Sequence, residues 1–499
     1  MRIAGLAVVL LAGACAPAPR PTAIDRLHPC VLDEGPTDAY CGTLRVFENR
    51  ETRTGRTIDL RIIVLPSLSS EARPDPLFFL AGGPGQGAAE MAPQIRDVFR
   101  RIQEDRDIVL VDQRGTGKSN PLDCRSDMNS LTVLNESDEA GLGRLRTCLE
   151  GYDADTRLYT TTIAMDDLDD VRTYLGYDRI NVYGGSYGTR AALVYLRQHG
   201  DAVRTMVLDG VAPVSMQLPL FAARDAQRAL DTLLADCDAD TQCRMLYPDL
   251  GTRLRALFAR LERQPARVSL THPRTGVTED VQIDARFVAS ALFGSLYSPL
   301  AASLVPELIA RGERNDFQGL VALALINEAA GDNMSIGMQL SVLCAEDAPR
   351  VTPEAVARES AGTVFGTHLM AMIRACEFWP AGQISEAYYA PVTSAVPTLV
   401  LSGALDPVTP PTWGESVTTT LSNARHVVVP GTGHGALGAG CALRLFKDFL
   451  DSADARALDV TCLSGIRRPP FFTTPAGPDP GDPGVRPPVT GRITGSDPL

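Results

Sequence analysis

Ser186 lies at the centre of the segment YGGSYG (183–188), whose residue types and spacing are suited to nucleophilic catalysis. The segment fits the pattern G-x-S-x-G, follows an apolar β-rich run and precedes a run with helical residue preferences. That context is typical of a serine on a sharp turn from a strand into a helix, where small residues on either side let the backbone approach closely. The start of the helix also favours a developing negative charge. We therefore predict that Ser186 is a nucleophile.

A serine hydroxyl is a poor nucleophile unless a base takes its proton, so a histidine is expected nearby. The chain has six histidines, and His434 is the one that lies in a glycine-rich turn, GTGHG (431–435), directly after a late apolar run. This position corresponds to the carboxyl edge of a parallel sheet, where the sites of such sheets collect. His434 is the predicted base.

An acid should orient the imidazole, and two aspartates are candidates. Asp406 follows the apolar run TLVLSGAL (398–405) and precedes Pro407, so the chain must turn at this point. With Asp406 the catalytic residues follow in the chain order serine, aspartate, histidine, which is one of the known orders. The rival is Asp209, which ends the preceding core strand and is followed by Gly210. We favour Asp406.

An oxyanion formed during acyl transfer needs backbone N–H donors. One donor is expected from Tyr187, directly after the nucleophile, and the other from the glycine-rich loop AGGPGQG (81–87). Glycines there permit backbone conformations that other residues disfavour. Gly83 is the predicted donor, because Pro84 has no N–H group.

The segment GTGKS (115–119) resembles a phosphate-binding loop, but that motif requires glycine at position 112, where Asp112 stands. We therefore expect no nucleotide, and we expect Asp112 and Arg114 to hold the loop beside the site. No CxxC or HxxxH spacing occurs in the chain, so neither a metal nor another cofactor is expected.

Short apolar runs that end in glycine-rich or charged turns predict strands buried on both faces of a parallel sheet. Six such runs occupy 76–85, 107–115, 180–188, 205–213, 398–407 and 426–434. Helical segments are predicted around 89–104, 165–176, 187–199 and 440–452, and this alternation is typical of an α/β fold. Before the first run, alternating residues around 44–46 and 58–64 predict an antiparallel hairpin with its turn at 49–55.

A long segment with mainly helical patterning interrupts the alternation between 214 and 390. Leu254, Leu257, Phe258 and Leu261 have the spacing of an amphipathic helix. We predict a helical cap at 214–390, inserted between the two parts of the core, 30–213 and 391–465. The segment 466–499 is rich in Pro, Gly and Asp, and it is predicted to be a disordered tail.

The first 15 residues predict export. An arginine precedes a short apolar run, and LAGAC (11–15) is similar to a bacterial lipobox, in which Cys15 would be lipidated. The alternative is ordinary cleavage after Ala14 or Ala16. The apolar run is too short for a permanent membrane span, so the expected membrane contact is a lipid anchor on Cys15.

Of the 11 cysteines, Cys15 leaves an even set of ten, which an oxidising compartment could pair into five bridges. Short loop closure favours pairing of neighbours, although the sequence does not fix the connectivity. The neighbouring pairs are Cys30/Cys41, Cys124/Cys148, Cys237/Cys243, Cys344/Cys376 and Cys441/Cys462. The net charge of −13 argues against a nucleic-acid partner, because the chain has no excess of basic residues to neutralise phosphates.

Four motifs together carry a family resemblance: GGPG (82–85), VDQRGTGKS (111–119), GGSYGTR (184–190) and LDPVTPP (405–411). They resemble the proline iminopeptidase and tripeptidyl aminopeptidase group of α/β-hydrolases, over about residues 30–465. The resemblance implies an α/β-hydrolase fold with a mostly parallel central sheet and a large helical cap between two late core strands. It also implies a serine aminopeptidase that releases residues from the N-termini of peptide substrates. The N-terminal segment and the cysteines predict its place in the bacterial cell envelope, as a periplasm-facing lipoprotein or a secreted protein.

In this family, cap carboxylates hold the free α-amino group of the substrate. The resemblance makes Glu346 the candidate for that role and Asp347 the second, while a simple surface or helix-end charge remains the alternative for Glu346. Ala81 replaces the histidine that usually precedes GGPG in iminopeptidases proper, so the resemblance does not extend to strict proline specificity. A carboxylesterase or lipase-like hydrolase with an apolar acyl pocket remains the alternative function.

Overall fold

Residues 23–32, 39–124, 129–131, 137–330, 334–474 and 477 are described by a computed structural model. The predicted signal segment with Cys15 lies outside the described residues, as does 478–499 of the predicted tail.

A nine-stranded sheet forms the centre of the fold. Its strands are β1 His28–Cys30, β2 Ala39–Phe47, β3 Thr57–Leu65, β4 Leu77–Leu80, β5 Ile108–Val111, β6 Ile180–Gly185, β7 Val203–Asp209, β10 Thr398–Gly403 and β11 Ala424–Val429. They lie in the order β1-β2-β3-β5-β4-β6-β7-β10-β11. Neighbours from β5 to β11 in this order are parallel, whereas β1, β2, β3 and β5 pair antiparallel at one side of the sheet. The mostly parallel sheet and the opening hairpin, β2 with β3, are as the sequence predicts.

Both faces of the sheet are covered, which explains why its strands are continuous apolar runs. Along β4, Phe78 and Leu80 pack into one layer, while Leu77 and Phe79 pack into the other. The helices of the core are α1 Ala92–Val98, α2 Arg100–Gln103, α3 Asp138–Gly151, α4 Thr161–Leu175, α5 Tyr187–His199, α15 Pro411–Thr418 and α16 Ala442–Ser452. The helix predicted at 89–104 is therefore broken near Phe99, and the one predicted at 165–176 begins earlier, at Thr161.

The predicted cap lies between β7 and β10 and is mainly helical. Its α-helices are α6 Ala222–Ala239, α7 Thr241–Leu246, α8 Leu250–Arg263, α9 Ala285–Leu296, α10 Pro299–Ala302, α11 Val305–Gly312, α12 Gln318–Ala330, α13 Ile336–Val342 and α14 Pro353–Ser360. It also contains a two-stranded hairpin that the sequence analysis missed, β8 Ala266–Thr271 with β9 Thr278–Ile283. The apolar face of α8, including Leu254 and Phe258, packs into a hydrophobic cluster formed mainly by cap residues.

Five disulfides join neighbouring cysteines and confirm the pairing favoured by short loop closure. They are Cys30–Cys41, Cys124–Cys148, Cys237–Cys243, Cys344–Cys376 and Cys441–Cys462. No helix among the described residues is long and apolar enough to cross a membrane.

The prediction of a disordered tail from 466 onward is wrong for its first part. Ile466 packs against the cluster that contains α16, and Phe471 is buried in the cluster of the cap. The N–H of Phe472 donates to the carbonyl of Ser303 at 3.1 Å. The segment 466–499 is polar on average, and this average gave no indication of the packing of Ile466 and Phe471, which lie within its first seven residues.

Candidate active site

Ser186 occupies a tight turn between β6 and α5. Its backbone has φ 56° and ψ −124°, a conformation that residues other than glycine rarely adopt. The N–H of Ser186 donates to the carbonyl of Asp209 at 2.9 Å, while the Ser186 carbonyl accepts from the N–H and the hydroxyl of Thr189 at 2.9 and 2.6 Å. These bonds hold the strained turn in place.

Glycines two positions before and after Ser186 are required by close backbone contacts. A Cβ atom on Gly184 would lie 2.2 Å from the carbonyl oxygen of Gly188, and one on Gly188 would lie 2.2 Å from that of Leu80. Since real Cβ atoms do not approach so closely, a side chain at either position would force the strand and the helix apart. The motif therefore reflects the packing of α5 against β4 and β6.

His434 lies five residues after β11, and its Nδ1 is 2.8 Å from Oδ2 of Asp406, which follows β10. Asp406 is fully buried and also accepts the N–H groups of Val408 and Thr409 at 2.9 and 2.8 Å. The Thr409 hydroxyl donates to the same carboxylate at 2.7 Å. Because Nδ1 faces Asp406, Nε2 is the nitrogen of His434 left for a substrate or a serine.

Burial would raise the pKa of Asp406, but the charge and hydrogen bond of His434, with the N–H groups of Thr409 and Val408, hold it below its usual range. Burial alone would lower the pKa of His434, yet the charge and hydrogen bond of Asp406, and the charge of Asp209, raise it above its usual value. The buried pair thus favours an ionised carboxylate that orients and stabilises the imidazole.

The cap also contacts the histidine directly. Tyr297 directly follows α9, and its backbone carbonyl accepts the backbone N–H of His434 at 2.9 Å. The two rings meet edge to face with their centroids 5.1 Å apart. The position of the imidazole therefore depends on both the core and the cap.

The predicted oxyanion loop lies against Ser186. A Cβ atom on Gly82 would be 3.2 Å from Cβ of Ser186, and Gly83 has φ +108°, which favours glycine. Gly83 and Tyr187 border the same cavity as Ser186. As the first residue of α5, Tyr187 has a backbone N–H with no intrahelical acceptor. Gly83 and the first residue of α5 thus both lie beside the serine, as an oxyanion site would require.

A cavity of about 220 Å³ opens beside Ser186 and is mostly apolar. Its walls include Met216, Leu218, Phe293, Leu343 and Met372. Polar atoms come from Gln339, Tyr297 and Thr409 in addition to the serine. Among the described residues that line it there is no carboxylate. The cavity is therefore suited to an uncharged, apolar group.

Glu346 and Asp347 do not border this cavity, so the geometry argues against the role in binding a substrate amine that the family resemblance implied. Both are fully buried in a π-helical turn, Leu343–Asp347. Glu346 accepts the N–H of Thr161 at 2.7 Å and its hydroxyl at 2.9 Å, and it also accepts the hydroxyl of Tyr388.

Asp347 is paired instead with Arg190, whose guanidinium donates at 2.8 Å. Arg190 is fully buried on α5 and also donates to the carbonyl of Met216 at 2.7 Å. Glu346 therefore joins the cap to the start of α4, and Asp347 joins it to the first turn of α5; neither is a surface charge.

Asp112 and Arg114 act at two different places. The carboxylate of Asp112 accepts the N–H groups of Ala89 and Lys118 at 2.7 and 2.9 Å, which joins the segment after the oxyanion loop to the loop after β5. Arg114 instead forms a two-point ion pair with Asp167 of α4, at 2.6 and 2.9 Å. Among the described residues, no cluster of three or more His, Cys, Asp or Glu side chains could hold a metal ion.

Residues 75–438, nearly three quarters of the chain, match the model of a protein family described as the alpha/beta hydrolase fold. The chain is a member of the α/β-hydrolase fold family. Together with the sheet order and the turn at Ser186, this identifies it as a serine hydrolase.

Relatives of this α/β-hydrolase carry the names of peptidases. The serine protease Hip1 of Mycobacterium tuberculosis is 25% identical over 411 residues, which cover 75% of this chain and 78% of that protein. The proline iminopeptidase of Neisseria gonorrhoeae is 32% identical over 141 residues, 27% of this chain and 32% of that one. The solved structure of a proline iminopeptidase from Mycobacterium smegmatis covers 84% of this chain and 100% of its own, with a TM-score of 0.37 and 16% identity.

Several residues of this α/β-hydrolase site were missed by the sequence analysis. Thr409 lies three positions after Asp406, a spacing typical of a turn closed by an aspartate side chain, so this signal was available. Arg228 of α6 donates to the backbone carbonyl of Asp406 at 2.5 Å, and Tyr297 packs on His434. No local pattern marks the last two, because their contacts are made between segments that are distant in the chain.

Proposed function

We propose that the protein is a serine peptidase that works through an acyl-enzyme, with Ser186 as nucleophile, His434 as base and Asp406 as the acid that orients it. The observation that carries this proposal is the strained Ser186 turn, which lies at the same sheet edge as the buried His434–Asp406 pair. Strain of this kind at a candidate nucleophile is common in active sites. The names of the relatives favour peptides as the substrates.

In the first half of the reaction, Oγ of Ser186 attacks the substrate carbonyl carbon while Nε2 of His434 takes the hydroxyl proton. The oxyanion that forms would accept the N–H groups of Gly83 and Tyr187. The C–N bond then breaks, and the departing amine receives its proton from His434. The remaining acyl group is an ester on Ser186.

In the second half, a water molecule gives a proton to His434 and attacks the acyl ester. Collapse of this second intermediate returns the proton to Ser186 and releases the carboxylic acid. The ionised Asp406 stabilises the imidazolium in both halves. Its backbone and hydroxyl donors from Val408 and Thr409 keep it in place through the cycle.

The substrate side chain next to the scissile carbonyl is the group that we place in the apolar cavity beside Ser186. Burying such a side chain contributes about 1.5–3 kcal/mol, whereas a charged side chain would lose its hydration without a partner. Release from peptide N-termini is the finer form of the proposal, supported by the relatives named proline iminopeptidase. Glu346 and Asp347 are engaged elsewhere, so the amine of such a substrate would be held by other groups.

The decisive experiment uses a fluorophosphonate probe and a panel of p-nitroanilides. Wild-type protein should be labelled and should prefer peptidyl substrates with Leu, Met or Phe before the scissile bond over the same peptides with Asp or Lys. Ser186→Ala should lose both labelling and turnover, because removing the nucleophile leaves only residual catalysis. Ser402, a buried serine on β10, offers the control: Ser402→Ala should still be labelled. Labelling that persists in Ser186→Ala would refute the assignment.

A carboxylesterase is the second candidate, and the apolar lining of the cavity favours it, since an acyl chain would fit the same walls. The two functions separate when acyl esters are added to the panel of p-nitroanilides. A peptidase should turn over the p-nitroanilides with free or acetylated N-termini, whereas an esterase should cleave acyl esters and leave every anilide intact. Comparing the free and acetylated peptides also tests the finer proposal of N-terminal release.

We also propose that the protein is exported and anchored by a lipid on Cys15. Five disulfides support export, because such bonds persist in oxidising compartments. Mass spectrometry of the mature protein should find a diacylglyceryl group on an N-terminal Cys15, and alkylation without reduction should find no free thiol. An unmodified N-terminus beyond Cys15 would exclude the anchor.

A further inference from the structure

Asp209 is a second buried carboxylate at the site, at the end of β7 between the strands that carry Ser186 and Asp406. It is 2% exposed. Its Oδ1 accepts the backbone N–H of Ala436 at 2.7 Å, and its Oδ2 accepts the N–H of Leu437 at 3.0 Å. The hydroxyl of Tyr183 donates to Oδ2 at 3.2 Å. Two N–H groups that can only donate, one to each oxygen, suit an ionised carboxylate.

These contacts connect the two halves of the candidate site. Ala436 and Leu437 lie two and three positions after His434, so the carboxylate holds the loop that carries the base. The backbone carbonyl of Asp209 accepts the N–H of Ser186 at 2.9 Å. The next residue, Gly210, lies so close to the imidazole that a Cβ atom there would be 3.3 Å from Cε1 of His434.

Asp209 is not placed to orient the imidazole itself, because Nδ1 of His434 already bonds to Asp406. The carboxylate oxygens of Asp209 accept the backbone N–H groups of Ala436 and Leu437 in the loop that follows His434. We propose that Asp209 is a positioning residue, which fixes the His434 loop relative to the Ser186 turn and adds a second negative charge beside the imidazole. This inference rests on the proposed role of His434 as the base.

The charged and titratable groups that act on His434, directly or through a neighbour, come from five elements. Asp406 lies after β10 and Asp209 ends β7, while Tyr297 comes from the cap; Tyr183 on β6 acts through Asp209, and Arg228 of α6 acts through the carbonyl of Asp406. Burial lowers the pKa of His434, and the charges of Asp406 and then Asp209 raise it. Burial raises the pKa of Asp209, although its two N–H donors and the charge of His434 act to lower it.

The sign of the expected pH effect follows from these charges. The base must be neutral to take a proton, so kcat/KM should fall as the pH drops through the raised pKa of His434. Asp209→Asn removes a negative charge that stabilises the imidazolium. The midpoint of the acid limb should therefore move to lower pH, while a purely structural defect would lower the whole curve and leave its midpoint in place.

The test measures kcat/KM against pH for Asp209→Asn, with Asp112→Asn as the matched control. Asp112 is likewise buried and likewise accepts two backbone N–H groups, but its charge does not act on His434. We expect Asp209→Asn to lose about 10²-fold in kcat/KM, the effect of a small misplacement of a catalytic group, and to shift the midpoint downward. Asp112→Asn should keep the wild-type midpoint. An unshifted midpoint in Asp209→Asn would overturn the charge part of the proposal.

Hydrogen exchange of the wild type tests the positioning part even if Asp209→Asn does not fold. Asp209 is the acceptor that the structure gives to the N–H groups of Ala436 and Leu437, so the protection of these two amides reports on its carboxylate. Both should exchange slowly in the wild type, and exchange at the rate of an open loop would overturn the proposal. This readout does not depend on turnover, so a failed Ser186 assignment would leave it unaffected.

Discussion

The backbone at Ser186 has a conformation that typically costs on the order of 1–3 kcal/mol. Three hydrogen bonds compensate for it, one from the Ser186 N–H to Asp209 and two from Thr189 to the Ser186 carbonyl. The glycines at 184 and 188 allow the strand and helix to meet at this point. The backbone of the candidate nucleophile is thus fixed before any substrate binds, which lowers the entropy that a reaction at Ser186 would have to lose.

Asp406→Asn should lower kcat by about 10⁴-fold, as removal of the acid does in other serine triads. An asparagine amide can donate to Nδ1, which favours the imidazole tautomer with its proton on Nε2, and that tautomer cannot accept the proton of Ser186. The fold should survive, because Oδ1 of the side chain still accepts the N–H groups of Val408 and Thr409. The measurement is the pre-steady-state rate of acylation, compared with the thermal stability of the same sample.

Thr409→Val is the control for this variant, since it removes one donor to Asp406 and keeps the charge. It should lower kcat far less than Asp406→Asn does. If Asp406→Asn stays within tenfold of the wild type while Asp209→Asn loses four orders of magnitude, the acid lies on β7 and the assignments are exchanged.

At the scale of elements, the sequence predicts the sheet well because its signal is local. Strands such as β4, buried on both faces, must be continuous apolar runs, and β6 followed by α5 carries a motif that packing itself requires. The break near Phe99 was not predicted, since it leaves the apolar periodicity of 89–104 nearly unchanged. The hairpin of β8 and β9 was missed as well, because its exposed strands are largely polar.

The roles of Glu346 and Asp347 could not be predicted from the residues next to them in the sequence. A carboxylate next to a site has the same sequence signature whether it faces a substrate or a buried arginine. The deciding partner, Arg190, lies more than 150 positions away. Arg190 itself lies four positions after Ser186 on α5, and nothing in its neighbours indicates that it is fully buried.

The cluster around Arg190 connects three parts of the cavity wall. Arg190 lies on α5, one turn after Tyr187, and it holds the carbonyl of Met216 and the side chain of Asp347. Met216 lines the cavity, and Leu343 begins the π-helical turn that contains Asp347. Breaking a buried ion pair of this kind is strongly destabilising, because it leaves a charge uncompensated. The shape of the cavity therefore depends on a contact outside it.

At the scale of the whole molecule, most cap helices pack in a hydrophobic cluster that contains no strand of the nine-stranded sheet, and residues 466–472 connect that cluster to the core. Ile466 packs with α16 in the core, Arg468 pairs with Asp236 of α6 at 2.8 Å, and Phe471 enters the cluster of the cap. The hydroxyl of Tyr247 donates to the carbonyl of Phe472 at 3.1 Å. We call residues 466–472 the strap. Since Tyr297 and Phe293 reach the candidate site from the cap, the strap helps to fix the position of these two residues.

Phe471→Ala should destabilise the cap by about 3–5 kcal/mol, the usual effect of removing a buried phenylalanine side chain. The loss of stability should fall on the cap, because Phe471 packs among cap residues such as Phe258 and Phe365, in a cluster that contains no residue of the nine-stranded sheet. Denaturant unfolding should then separate into two transitions, with Trp379 and Trp413 as fluorescent reporters. Phe472→Ala is the matched control, since the contacts of that residue to Ser303 and Tyr247 are made by its backbone. Equal stability of the two variants would show that residues 466–472 do not act as a strap.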